Sequence, residues 1–466
     1  MKKSLYILLL IACSSCTKVL DLTPQDKITA INFWKTATDA ENATTGIYDA
    51  IQGMVPFTPV ALDASGDATL ANVLPYSQFS AHGIPSDNTI VNNYWQFCYI
   101  GIGRANDVLS NVSAMDAGKF AAGQQARILA EAYFTRAFLY YSLIKVYGGV
   151  PIVTKPYDSF NADFTIAKST MAQVLDQIIA DLKIAKASLP VSYGDAFSTR
   201  GRGTQGSASA LLAKAYLTKK DYANAVTEAN GVIANTTYTL AQGSAAYANM
   251  FSASGKNSAE SIFEIQYVSN SSESNGIFSF YMPPNGIPAG QTGGSYTVVP
   301  TTKIINAFEA GDIRKAGSIS VSTATLPLTY VNKYVRQTSG PEPNVIQLRL
   351  ADIYLIAAEA YNGLGQTTEA SNMLNIIRRR AFNLPLATVS VRDFPSADDI
   401  SKGYTLALAI ENERFKELCF EGHRFFDLVR TGRAETVLNI TTNQTVWPLP
   451  LREVGRNPRL IQNPGY

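Results

Sequence analysis

Histidine is nearly missing from this chain of 466 residues, which holds only His82 and His423. A zinc site built on imidazoles, or a nucleophile–His–Asp arrangement, has almost nothing to work with. No H-E-x-x-H, G-x-S-x-G or P-loop spacing occurs either. His423 lies in Glu421-Gly422-His423-Arg424-Phe425-Phe426-Asp427, where a structural imidazole is expected rather than a base. Cysteine is as scarce. Of 4, Cys13 and Cys16 sit at the extreme N-terminus, leaving Cys98 and Cys419. That is no disulfide framework, and both are expected to be buried free thiols. Charge of one sign is absent too. With 39 Lys+Arg against 37 Asp+Glu and no basic run, nothing draws in nucleic acid. Charged residues make up 16% and hydrophobic ones 46%, a balance that excludes disorder and suits a large buried core.

The one apolar run of note, Leu5-Tyr6-Ile7-Leu8-Leu9-Leu10-Ile11-Ala12, follows Lys2 and Lys3 and precedes Cys13-Ser14-Ser15-Cys16. It is too short to span a bilayer, and with a basic start and small residues after it the segment reads as a secretory signal over 1–15. Leu10-Ile11-Ala12-Cys13 fits a lipoprotein box, and Cys13-Ser14-Ser15-Cys16 fits one less well at its first position. On either reading the mature chain begins with a lipidated cysteine, and more than one acyl chain gives stable membrane anchoring.

Past about residue 40 the pattern is mostly helical. Helices are expected over Asp39–Ile51 (with Asp39 as N-cap), Tyr94–Asn111, Gln124–Tyr147 and Ser169–Leu189. The third stops at Gly148-Gly149-Val150-Pro151. Ala213, Ala215, Tyr216, Ala225 and Val232 recur at one offset as Ala358, Ala360, Tyr361, Ala370 and Ile377. Small residues at fixed places in a helix pair let the helices approach closely, the logic of a tetratricopeptide repeat. The expected fold is therefore mainly α, a tetratricopeptide-like superhelical scaffold with helix pairs near 207–234 and 346–382, long inserted loops and minor β. The loop-rich insertions are 53–90 and about 240–345, the latter with a strand-like Ser261–Tyr267.

Gly201-Arg202-Gly203-Thr204-Gln205-Gly206 spells a dinucleotide loop but has no strand before it, and reads as the approach to a helix. The spacing of the 37 acidic residues singles out no catalytic pair. Aromatics point elsewhere. Among 24 Tyr, 21 Phe and 3 Trp, many fall in the insertions: Phe57, Tyr76 and Phe79 in one, Tyr267, Phe278, Phe280, Tyr281 and Tyr296 in the other. Such rings either anchor their loops or stack on the C–H faces of sugars.

The chain resembles the SusD/RagB family of outer-membrane nutrient-binding lipoproteins along nearly its whole mature length. The resemblance rests on Cys16-Thr17-Lys18-Val19-Leu20-Asp21, on Trp95 with Tyr99, Arg104-Ala105-Asn106, and on Glu131-Ala132-Tyr133 with Arg136-Ala137. It continues through Tyr147–Pro151, Leu348–Asp352, Glu413-Arg414, Glu417-Leu418, Glu421–Arg430, Pro448-Leu449-Pro450 and Gln462–Tyr466. It implies a surface-exposed lipid anchor on Cys16, an outer-membrane location facing the cell exterior, and a SusC-like TonB-dependent transporter as partner. It implies a glycan ligand, or a peptide, and no catalysis, cofactor or metal. A mainly structural lid of the same transporter is the alternative. The shared motifs are scaffold residues, so the ligand site is expected on the two insertions, since sites concentrate on loops held by a rigid frame. These loops should meet and form a shallow platform. Tyr76, Tyr281 and Tyr296 would stack on the ligand, Asp63, Asp67 and Asn72 would hydrogen-bond it, and Trp95 would lie at the edge.

Overall fold

The computed structural model describes residues 33–56, 58–156, 165–268, 274–338 and 340–466. The expected signal segment 1–15, with Cys13, as well as Cys16 and Phe57, lies outside the described residues. Ten helices carry the frame: α1 Ala37–Met54, α2 Thr89–Ala114, α3 Gln124–Tyr147, α4 Met171–Ser188, α5 Gln205–Lys219, α6 Tyr222–Ile233, α7 Leu350–Gly363, α8 Thr367–Ala381, α9 Leu406–Glu417 and α10 Arg424–Arg430. From α1 to α8 each packs on the next in order, and α9 returns against α7 and α8. That nearest-neighbour stacking is the superhelical scaffold the repeat implied.

The helix ends follow local chemistry. Thr36, not Asp39, caps α1. Asp39 is its reciprocal partner three residues in, taking the Thr36 N–H at 2.8 Å while Thr36 Oγ1 accepts from the Asp39 N–H at 3.2 Å. Asn88 caps α2 through Ile90 N–H and Val91 N–H, so that helix begins before Tyr94. α3 ends where Gly148 turns to φ 69°. The next glycine is needed for space: a Cβ on Gly149 would sit 2.2 Å from the Ser169 carbonyl oxygen. Ala213, Ala215, Ala225, Ala358, Ala360 and Ala370 are all fully buried at the helix contacts. Gly203 and Gly206 serve the same purpose, since a Cβ would strike the Phe134 ring at 2.9 Å or the Tyr238 hydroxyl at 2.2 Å.

Between α6 and α7 the chain leaves the frame, yet those two helices pack directly, and Asn230 Nδ2 donates to the Tyr361 hydroxyl across them at 2.7 Å. The excursion is closed at its base by an antiparallel pair, β2 Ser261–Ile265 with β6 Val345–Arg349, in register Ser261↔Arg349 and Ile265↔Val345. Residues 346–349 are thus strand, and the second helix pair starts at Leu350. Four further short strands escape the sequence pattern because three residues carry no readable period: β3 Val298–Pro300, which pairs with β1 Thr69–Ala71 from the first insertion, and β4 Ile319–Val321 with β5 Thr329–Val331. The first insertion also holds a helix, Thr58–Ala64, where irregular chain was expected.

A buried ion network locks this base to the C-terminal motif. Arg349, 2% exposed, donates to Glu417 at 2.6 Å, Glu260 at 2.9 Å and Glu421 at 2.7 Å. Arg314 and Arg380 also bind Glu417, whose carboxyl the three guanidiniums hold well below the usual range despite burial. Removing one member would leave an uncompensated buried charge.

Candidate functional site

The two insertions do meet. β1 and β3 run antiparallel with Leu70 opposite Val299, and the Asn72 N–H donates to the Thr297 carbonyl at 3.1 Å. A buried tie lies beneath: the Tyr281 hydroxyl is 2.8 Å from Asp63 Oδ2, and the Gly422 N–H donates to Asp63 Oδ1 at 2.9 Å. Three distant stretches of chain thus converge on one carboxyl, which burial pushes up to about 7.

This arrangement redistributes the expected ligand contacts. Asp63 and Tyr281 have no surface to offer, being 1% and 0% exposed. They fasten the insertions to each other. Tyr76 is also interior, its ring 5.0 Å from Phe280 and 6.5 Å from Phe79, and its buried hydroxyl has no hydrogen-bond partner among the described residues. Asp67 is clamped by Arg424 at 2.7 Å and Lys303 at 2.5 Å, which hold its carboxyl below the usual range. The physical reason is common to all four. An irregular segment becomes fixed only by burying rings and pairing polar groups against the frame. Two of the seven remain at the surface: Asn72 is exposed, and Tyr296 is half-buried with φ 52°, its hydroxyl donating to the Thr329 carbonyl at 2.7 Å. Beside Asn72, Leu70, Val73 and Leu74 stand open at 47%, 52% and 67%, and Phe280 is half-buried. Phe280 and these aliphatic side chains stand on this face where Tyr76 and Tyr281 were expected.

Trp95 does not join it. It lies on α2, its ring 4.7 Å from Tyr99 and 5.1 Å from Tyr147, at the floor of a separate cleft of about 510 Å³ with Gln96, Glu453 and Arg456. A line of rings connects the two places: Phe280, Tyr76, Phe79, Trp447, Tyr147, Trp95. Next to Asp67 opens a third cleft, about 570 Å³, edged by Lys303, Lys402, Tyr404, Arg424 and Arg433. Nothing in the spacing of those residues signals it, because they come from four separated segments.

His423 is half-buried, and desolvation beside Lys214 pushes its imidazole down to about 3, so it is neutral at physiological pH. Cys98 and Cys419 are free and buried. Among the described residues no group of three or more His, Cys, Asp or Glu could hold a metal ion, and no helix is long and apolar enough to cross a membrane.

Two family models match: one described as starch-binding associating with outer membrane, over residues 19–217, and the SusD family, over residues 320–442. The chain is 28% identical over 513 residues to SusD-like protein P38 of Formosa agariphila, covering 97% of this chain and 96% of that one. A SusD-like protein of Bacteroides fragilis superposes with TM-score 0.81 at 22% identity, over 96% of this chain and 100% of the other. A laminarin binding SusD-like protein superposes with TM-score 0.79 at 26% identity, over 93% and 100%.

Proposed function

Because the chain belongs to the SusD/RagB family, we propose that it captures a glycan at the cell surface and passes it to a SusC-like TonB-dependent transporter. On this reading it is a lipoprotein of the outer membrane, anchored through Cys16 and facing the exterior, and it binds without turning its ligand over. The observation that supports a binding role most directly is the cross-bracing of the two insertions through β1–β3 and Asp63–Tyr281. It holds one irregular surface rigidly on the frame, which lowers the ordering cost of binding. Asn72 supplies hydrogen bonds there, and Tyr296 and Phe280 supply ring surface. The similarity to a laminarin binding protein favours a glycan over a peptide.

The test is calorimetric titration of laminarin, soluble starch and a peptide mixture into the intact soluble chain and its variants. Tyr296→Ala and Asn72→Ala should weaken glycan binding several-fold, since truncating a ring or hydrogen-bonding group in a desolvated contact costs upwards of about 1 kcal/mol. The exposed Leu70, Val73 and Leu74 give the lid reading its own support, as aliphatic side chains suit a protein surface. Glycan affinity unchanged in every folded variant, with transporter association lost on Leu74→Asp, would favour the lid.

A further inference from the structure

One face of α1 opens onto a groove. Thr45, Tyr48, Asp49 and Gln52 fall at the i, i+3, i+4, i+7 spacing of a single face and line a cleft of about 460 Å³. Its other wall is the short helix Ala196–Gly201 and the end of β2, through Phe197, Ser198, Ile265, Gln266 and Val268.

Phe197 is the unusual member. Its side chain is 60% exposed, and with the terminal Tyr466 it is one of two aromatic residues among the described ones that stand open to solvent. The ring is not on a loose loop. Asp195 caps its helix through the Ser198 N–H at 2.8 Å. Arg200, 5% exposed, pins the helix to the Thr237 and Ser258 carbonyls at 3.0 and 3.3 Å, with its guanidinium over the Tyr238 ring. At the helix end Gly201 lies so close to Gln266 that a Cβ would meet its Cγ at 2.8 Å. Gln266 is itself held between Asn257 and Asn344 at 2.8 and 2.7 Å. The wall is therefore preorganised, with an apolar ring presented to water and little freedom left to lose on binding.

The charges select the occupant. Asp49 is paired with Arg104 at 2.7 Å, and Arg202 with Glu41 and Glu131 at 3.0 and 2.8 Å. Every charged group lining the cleft already has its counter-charge, so an anionic sugar or a charged peptide side chain would find no unmatched partner there. Hydroxyl-seeking groups there are the Ser198 hydroxyl and the Gln52 side-chain oxygen, which Gln52 Nε2 orients by donating to the Gln266 carbonyl at 2.8 Å. We propose that this cleft is a second sugar site, distinct from the insertion surface, which takes a segment of a neutral glycan with one ring face stacked on Phe197. The proposal rests on the glycan reading above.

Affinity electrophoresis of the intact soluble chain through gels containing laminarin, soluble starch or alginate tests both ideas and separates them. Phe197→Ala should weaken retardation by a neutral glucan about fivefold or more, the scale of one desolvated ring contact. Phe197→Trp should restore it, and circular dichroism should be unchanged because the position is exposed. If Tyr296→Ala reduces retardation but Phe197→Ala does not, the second site is refuted while the glycan reading stands. If the parent protein is retarded by none of the glycans, both fall. Retardation that depends on Phe197 only in alginate would refute the neutral class. Loss of transporter association in Phe197→Ala, without change in glycan retardation, would assign the face to a protein partner and overturn the proposal.

Discussion

Asp63→Asn isolates the tie beneath the insertions. In the folded protein the Asp63 carboxyl titrates at about 7 because burial outweighs its two hydrogen bonds and the attraction of Lys333, while Glu421 pushes the same way as burial. In the unfolded chain it titrates near 3.9, so about 3 pH units separate the states, equivalent to about 4 kcal/mol if the whole range is crossed. A carboxyl whose folded pKa is raised keeps its proton longer in the native state. Its contribution is fully present below pH 4, falls as pH rises, and is lost above pH 7. From pH 5 to pH 8 the loss is roughly 2.5 kcal/mol by the same linkage. Asparagine copies the neutral form, with its carbonyl accepting from the Gly422 N–H and its amide donating to the Tyr281 oxygen. Asp63→Asn should therefore exceed the parent by about 1.5 kcal/mol at pH 5 and by about 4 kcal/mol at pH 8. Urea denaturation followed by circular dichroism at pH 5, 6.5 and 8 reads the difference, in which other titrating groups such as His423 cancel. A gap independent of pH, or one that narrows as pH rises, would refute the argument.

Cys16→Ala should abolish lipidation and release soluble protein, read by phase partitioning in detergent. A variant that stays lipidated while Cys13→Ala does not would move the anchor to Cys13. Gly149→Ala should destabilise the fold by about 1–3 kcal/mol, because its methyl group meets the Ser169 backbone rather than a side chain that can swing away. A thermal midpoint equal to the parent's would contradict the close approach. The purified protein should release no sugar from laminarin or starch over hours. Sustained release that disappears on changing one carboxylate would overturn the non-catalytic reading.

The helices that the sequence revealed are those with both a period and a punctuation mark. Gln124–Tyr147 was legible end to end because Gly148 and Pro151 stop it. The alanines of the two helix pairs were legible because close packing leaves room for nothing larger. At α1, Thr36 and Asp39 are both good capping residues, and only the backbone shows which one occupies the cap. The meeting of the two insertions was legible, since two long insertions on one frame have few ways to avoid each other. Its residues were less so. A tyrosine in a polar stretch looks the same whether it faces water, as Tyr296 partly does, or ties two loops together, as Tyr281 does. Composition does not record which way a loop residue points. Phe197 illustrates the converse, an aromatic residue in an unremarkable stretch whose exposure follows from helix anchoring elsewhere.

That α6 and α7 touch as immediate neighbours, with the excursion between them gathered at a two-strand neck, has an evolutionary consequence. Genetic change inside the excursion need not shift α6 against α7, so long as the buried ties of Arg314, Lys333 and Arg349 to the glutamates around them survive. Descendants of one ancestor can then trade this segment for another of different length and chemistry while inheriting an intact frame. Surface chemistry can diverge faster than architecture.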